Sequence, residues 1–134
     1  MSQTLLAIVE LGGYPNFTPV YRAAGYEVVM ATSMRKALGL VKKHRPELVV
    51  AEFNFQSDFR DRTSNLESLL ATLQTRCPQT RVIVFYEKEH TAHLDRLRGR
   101  FPVARVLPFP IDPESLREAI EAAAASGNPE SPGA

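Results

Sequence analysis

The stretch Pro46 to Asn54, PELVVAEFN, constrains the fold more than any other part of this chain. Leu48, Val49, Val50 and Ala51 run without a polar interruption between a proline and a polar end, the pattern of a strand buried on both faces. Such a strand belongs inside a parallel sheet that carries helices above and below. Glu52 follows directly at its carboxyl end. Open α/β sheets hold their ligand crevice outside the carboxyl ends of the strands, so Glu52 is the first site candidate.

The rest of the chain supplies the elements that such a sheet needs. Thr4 to Leu11 reads as a first strand, ending in Glu10 and stopped by Gly12 and Gly13. Phe17, Val20, Tyr21 and Ala24 recur at helical spacing before Gly25, which predicts a short first helix. Glu27 to Thr32 gives a second strand. Ser33 caps a second helix with Met34, Ala37, Leu38 and Val41 on its inner face, and Lys42, Lys43, His44 and Arg45 sit where the helix dipole favours cations. After the organising strand comes a polar and aromatic loop from Phe53 to Thr63. Ser64 and Glu67 form a capping box for a helix bearing Leu66, Leu69, Leu70 and Leu73, which Pro78 confirms as finished. Arg81 to Tyr86 is another buried strand. His90, Leu94, Leu97 and Phe101 mark a fourth helix, and Val103 to Leu107 a short last strand. Asp112 caps a final helix with Pro113 at its first position and Leu116, Ala119, Ile120 and Ala123 inward. Five strands alternating with five helices predict a three-layer α/β domain over residues 1–126 and a disordered tail over 127–134.

Composition removes several function classes. At 134 residues there is one domain's worth of chain, and 44% hydrophobic with 23% charged residues is enough apolar surface to fold it. Sixteen Lys and Arg against fifteen Asp and Glu leave a net charge of +1, so no global field draws the protein to nucleic acid or to an anionic membrane. Cys77 is the single cysteine; it has no disulfide partner or metal-ligand spacing, which suits a reducing cytoplasm. The N-terminus lacks the positive flank and small-residue cleavage site of a signal peptide and no apolar run approaches about 18 residues, so the expectation is a soluble, cytoplasmic protein. Gly12-Gly13 lacks the full dinucleotide-binding pattern, Thr32 stands where a ribose-binding acid is needed, and there is no hydrolase elbow. The reading is a non-enzyme with no nicotinamide cofactor.

Four segments, AGYEVVMATS, HRPELVVAEF, RVIVFYE and VLPFPIDPESLREAI, resemble the receiver domain of bacterial two-component response regulators, the CheY-like family, over nearly the whole chain. The resemblance implies a flavodoxin-like sheet in the order 2-1-3-4-5, with Glu10 and Glu52 at adjacent strand tips. It matches the family's phosphoacceptor aspartate to Glu52, and the magnesium-holding acid pair to Glu10 and Leu11. The phosphoryl-binding Thr or Ser matches Tyr86, the lysine matches Phe109, and the switch aromatic matches Val106. The peptide Phe109-Pro110 matches one that is cis in the family. The first helix is shorter than is usual there, and the loop after Glu52 is longer. Phosphoryl transfer needs a divalent ion and a cation to neutralise developing charge, and both supports are depleted.

The resemblance thus implies a degenerate, stand-alone pseudo-receiver that is not phosphorylated, needs no cofactor and binds a protein such as a signalling kinase or another regulator. Two alternatives stay open: an atypical phosphoacceptor or Mg2+-responsive receiver using Glu52 and Glu10, and a small-molecule binder using the same crevice. A crevice filled by Phe109 and Tyr86 goes with the first reading, and an open apolar crevice above Gly12 and Gly13 with the last.

The surface offers further candidates. In FNFQSDFRDR, Phe59, Arg60 and Arg62 are of interface type, while Phe53 and Phe55 are expected to pack inward. Arg96, Arg98 and Arg100, with Arg105, form a local basic patch on a face that receiver-like domains use for partners or self-association, so a homodimer is an allowed arrangement. The bland reading is a solvated face. His90 and His93 beside Glu87 and Glu89 could be read as a zinc face, but no fourth ligand is apparent and ordinary helix polarity explains them.

Overall fold

The computed structural model describes residues 3–9, 17–53, 66–101 and 103–125. Five strands, β1 (Gln3–Ile8), β2 (Tyr26–Ala31), β3 (Leu48–Glu52), β4 (Arg81–Tyr86) and β5 (Arg105–Pro108), form one sheet in the order β2-β1-β3-β4-β5. Every pairing is parallel, and β3 lies between β1 and β4 with Val49 opposite Leu6 on one side and Val82 on the other. Five helices connect them: α1 (Thr18–Ala23), α2 (Met34–His44), α3 (Glu67–Arg76), α4 (Thr91–Arg100) and α5 (Pro113–Ala125). The architecture is the three-layer α/β one that the strand pattern predicts, in the flavodoxin-like order that the resemblance implies.

All five residues of β3 are buried, because helices cover the sheet on both sides. Val49, Ala51 and Phe53 point into a core shared with Ala37 and Val41 of α2, Leu69, Leu70 and Leu73 of α3, and Leu94 and Leu97 of α4. Leu48 and Val50 point the other way, against Phe17 and Tyr21 beside α1 and Leu116, Ala119 and Ile120 of α5. Each buried aliphatic side chain stabilises the fold by about 1.5–3 kcal/mol relative to exposure.

Local signals set the ends of the elements. Ser33 Oγ accepts from Lys36 N–H at 3.2 Å, the expected N-cap of α2. Arg45 closes that helix in the left-handed region (φ 47°), its N–H donating to Val41 O, and Pro46 stops further helix. Asp112 accepts from the Ser115 N–H and hydroxyl at 3.0 and 3.1 Å to open α5. At the amino-terminal edge of the sheet, Glu47 accepts from Thr4 N–H at 2.7 Å, and the Thr80 hydroxyl donates to Pro46 O at 2.6 Å.

Some boundaries differ from the sequence expectation. The first strand ends at Ile8, well before Leu11, and β2 starts and stops one residue early. Strand β5 begins at Arg105, two residues late, and runs through Pro108, a residue tolerated there because β5 is an edge strand. Helix α3 starts at Glu67 behind Leu66 without a side-chain cap, so Glu67 is its first residue; Ser64 of the expected capping box lies outside the described residues. His90 belongs to a 3-10 turn, Lys88–His90, that leads into α4, where the Thr91 hydroxyl donates to Lys88 O at 2.7 Å. Gly127 and the 127–134 tail also fall outside the described residues. Among those described, no helix is long and apolar enough to cross a membrane.

Ile83→Ala, at a fully buried position of β4, is expected to cost about 2–5 kcal/mol in urea unfolding. Burial also raises the pKa of Tyr21 well above its usual value of 10.0. A raised folded-state value keeps this stability intact below pH 10 and loses it as pH rises further, since the unfolded chain ionises first. Alkaline unfolding followed by circular dichroism should therefore begin above about pH 10 and flatten in Tyr21→Phe.

Candidate functional site

Glu52 is the last residue of β3 and only 3% exposed. Alternation along the strand puts it in the row of Leu48 and Val50, on the side of the sheet covered by α1 and α5. Its register partner in β4 is Phe85, and the Phe85 ring meets Phe17 edge to face with centroids 5.9 Å apart. The carboxyl-end acid is therefore walled by aromatic rings. Beside it lies a cavity of about 140 Å³ lined by Phe17, Thr18, Tyr21, Val50, Glu52 and Phe85, with Met30 and the end of β1 at its margin.

Helix α1 is six residues long, and Met30 on β2 is 50% exposed. Desolvation keeps the Tyr21 phenol protonated, so it adds no negative charge beside Glu52.

Tyr86 and Phe109 are not among the residues lining this cavity, so the filled crevice that goes with the pseudo-receiver reading is not found, while Gly12 and Gly13, over which an open crevice goes with the small-molecule reading, lie outside the described residues. Strand alternation turns Tyr86 to the opposite face, where it packs against the α2–α4 core together with Val106. Phe109 donates its N–H to Tyr86 O at 2.7 Å, follows β5 and is 39% exposed; its peptide bond to Pro110 is cis. The residues that close around Glu52, Phe17 and Phe85, were read from sequence only as helix and strand members. The signal was present: Phe85 alternates with Tyr86, so one of the two had to share Glu52's face.

Other candidates separate clearly. Glu10, Leu11, Gly12, Gly13, Phe55, Phe59, Arg60 and Arg62 lie outside the described residues. Phe53 packs inward as expected, and its ring meets His90 edge to face at 6.3 Å. His90 and His93 have ring centroids 6.4 Å apart, but no group of three potential metal ligands occurs among the described residues, which leaves the zinc reading without geometry. Arg96, Arg98, Arg100 and Arg105 are all exposed. Arg100 is engaged within the domain, pairing with Glu67 of α3 at 3.2 Å and lying 5.4 Å from the Phe101 ring centroid. At the opposite end of the sheet, Arg45, Arg76 and Arg81 border a cleft of about 480 Å³ together with Glu47, Cys77 and Tyr26.

A magnesium ion prefers octahedral oxygen coordination, with carboxylates and several waters. The described residues around Glu52 provide one carboxylate among mostly apolar and aromatic neighbours, and Glu10, the other candidate ligand, lies outside the described residues.

No protein-family model and no curated protein matches the sequence. Solved structures do resemble the fold. A signal receiver domain of a LuxO repressor protein from Vibrio parahaemolyticus superposes with a TM-score of 0.73 at 14% identity, covering 94% of this chain and 92% of that one. The chemotaxis protein CheY4 of Vibrio cholerae gives 0.72 at 19% identity over 92% and 99%. A response regulator receiver domain from Clostridium thermocellum gives 0.73 at 15% identity over 92% and 95%. The chain thus has the CheY-like receiver fold.

The two phenylalanines at the strand ends should behave differently. Phe85→Ala is expected to lose about 3–5 kcal/mol in denaturant unfolding, because it empties a buried wall. Phe109→Ala should lose less than about 1 kcal/mol at its partly exposed position.

Proposed function

We propose that this receiver-fold domain is a pseudo-receiver: a non-phosphorylated module that acts by binding a protein, such as a signalling kinase or another regulator, in two-component or related signalling. The observation that carries the reading is Glu52, buried against Phe17 and Phe85 at the strand end where the receiver resemblance puts the phosphoacceptor. An acceptor carboxylate must reach the phosphoryl donor, with cations stabilising the charge that develops on the transferring oxygens. Aromatic walls supply no such charge, and the lysine position is Phe109.

The family's conformational relay is depleted as well. Tyr86 and Val106 pack in the α2–α4 layer, and valine has no ring to swing between two positions. One geometry therefore serves, and recognition falls to the surface. Arg96 and Arg98 on α4, with Arg105 on the edge strand β5, are exposed and suit an acidic partner surface. The free thiol of Cys77 suits action in a reducing cytoplasm.

Incubation with acetyl phosphate and magnesium, followed by intact-mass analysis, should yield no phosphoryl adduct. A hydroxylamine-labile adduct mapping to Glu52 would overturn the reading in favour of an atypical phosphoacceptor. For the surface, Arg96→Glu with Arg98→Glu should reduce capture of an acidic partner and weaken the salt dependence of that capture; unchanged capture would remove α4 from the docking face.

A further inference from the structure

The amino-terminal edge of the sheet, opposite Glu52, gathers positive charge around the cleft of about 480 Å³. Helices α2 and α3 pack in the same layer and both return towards this edge, so their last residues arrive together. Helix α2 ends in Lys42, Lys43 and His44 and is capped by Arg45, and α3 ends in Arg76. Arg81 opens β4 at the same edge. Arg45, Arg76 and Arg81 all line the cleft, against one acid, Glu47, among its described lining residues.

Cations in the last turn of a helix offset its dipole, which accounts for Arg76 and for the lysines. Arg45 asks for more. It stands in the left-handed region at φ 47°, where glycine or asparagine is the usual occupant, so a long cationic side chain is kept at a backbone position that disfavours one. Arg45 and Arg76 are exposed at the cleft. Arg81 is partly exposed, and its Nη1–H donates to Gln79 O at 3.3 Å, which fixes the guanidinium on the cleft wall. Glu47 is fixed as well, because its Oε1 accepts from Thr4 N–H at 2.7 Å. Between these charges the lining is apolar, from Tyr26, Pro46, Leu48, Pro78 and Ala123.

Those groups select a ligand class. A simple cation meets three guanidiniums, and a neutral apolar molecule leaves them unused. Guanidinium forks match the oxygens of a phosphate group in paired hydrogen bonds, while a fixed carboxylate accepts from hydroxyls. The volume is that of a small-molecule site.

We infer that this cleft binds a small organic phosphate, a phosphomonoester on a hydroxyl-bearing body of sugar-phosphate or mononucleotide size, with Arg45 and Arg76 on the phosphate and Glu47 on a hydroxyl. The inference stands apart from the pseudo-receiver reading, because the cleft lies at the sheet edge remote from Glu52 and needs nothing of its chemistry.

The test is an amide NMR titration of the full chain with adenosine monophosphate and with ribose phosphate at constant ionic strength; adenosine, ribose and inorganic phosphate serve as the partial ligands. Saturating shifts centred on Tyr26, Glu47, Cys77, Thr80 and Arg81 are expected, with a Kd on the order of 0.1 mM, and the tighter of the two phosphates identifies the body. Each partial ligand should bind at least about tenfold more weakly, since it lacks either the phosphate or the body. Arg45→Gln with Arg76→Gln should cost about the same factor, whereas Arg96→Gln with Arg98→Gln, an equal change of net charge on α4, should cost less than about twofold. Cys77 is the single cysteine and lines the cleft, so its alkylation by iodoacetamide should slow when the ligand saturates. Absence of saturable shifts, equal affinity for inorganic phosphate, or equal losses from the two arginine pairs would overturn the inference. Tighter binding of an oligothymidylate, with shifts reaching Lys42 and Lys43, would overturn it in favour of nucleic acid. The wild-type ligand series decides even where an arginine variant fails to fold. The acetyl-phosphate experiment on Glu52 is unaffected by any of these results, so the two readings fail separately.

Discussion

The burial of β3 between two helical layers is the constraint on which the rest depends. A strand with alternate residues committed to two different cores cannot slip by one position without exchanging every side chain between them. Val49 and Ala51 are held by the α2–α4 layer, Leu48 and Val50 by the α1–α5 layer. Glu52, next in the second row, is carried into the aromatic end of the sheet by the same register. The position of the acid is thus a consequence of core packing, and its surroundings decide what it can do.

On the proposed reading, those surroundings differ in kind from a phosphoryl site. Charge transfer to a carboxylate is helped by fixed cations and donors directed at the reacting oxygens. Among the described residues, the cavity beside Glu52 is lined mostly by rings and aliphatic side chains, with Thr18 at its edge. The scaffold and the site have separate logic, and one fold accommodates many sites. Retention of the receiver fold alone therefore says little about retention of its chemistry.

Much of the scaffold was legible in the sequence because hydrophobic period and capping residues agreed at each step. Ser33, Asp112 and the uninterrupted run from Leu48 to Ala51 each specify one element, and each behaves accordingly. Boundaries were less legible where tertiary pairing overrides local pattern: Val103 is as apolar as Val106, yet β5 pairs with β4 only from Arg105 onward. The site was legible in its acid but not in its walls. Whether Phe85 or Tyr86 shares Glu52's face depends on the β3–β4 register, a long-range property that the β4 segment alone does not encode. The partial exposure of Phe109 likewise depends on how the chain leaves β5.

The central claim is that Glu52 sits in a fold-retaining but chemically rebuilt site with no phosphoryl-driven switch. Its most direct test is a comparison of backbone-amide NMR spectra of the protein alone, with magnesium, and with magnesium plus beryllofluoride as a phosphoryl mimic. The account predicts three superimposable spectra. Shifts at Glu52 and Tyr86 on adding beryllofluoride, spreading into α4 and β5, would contradict it and restore a working receiver.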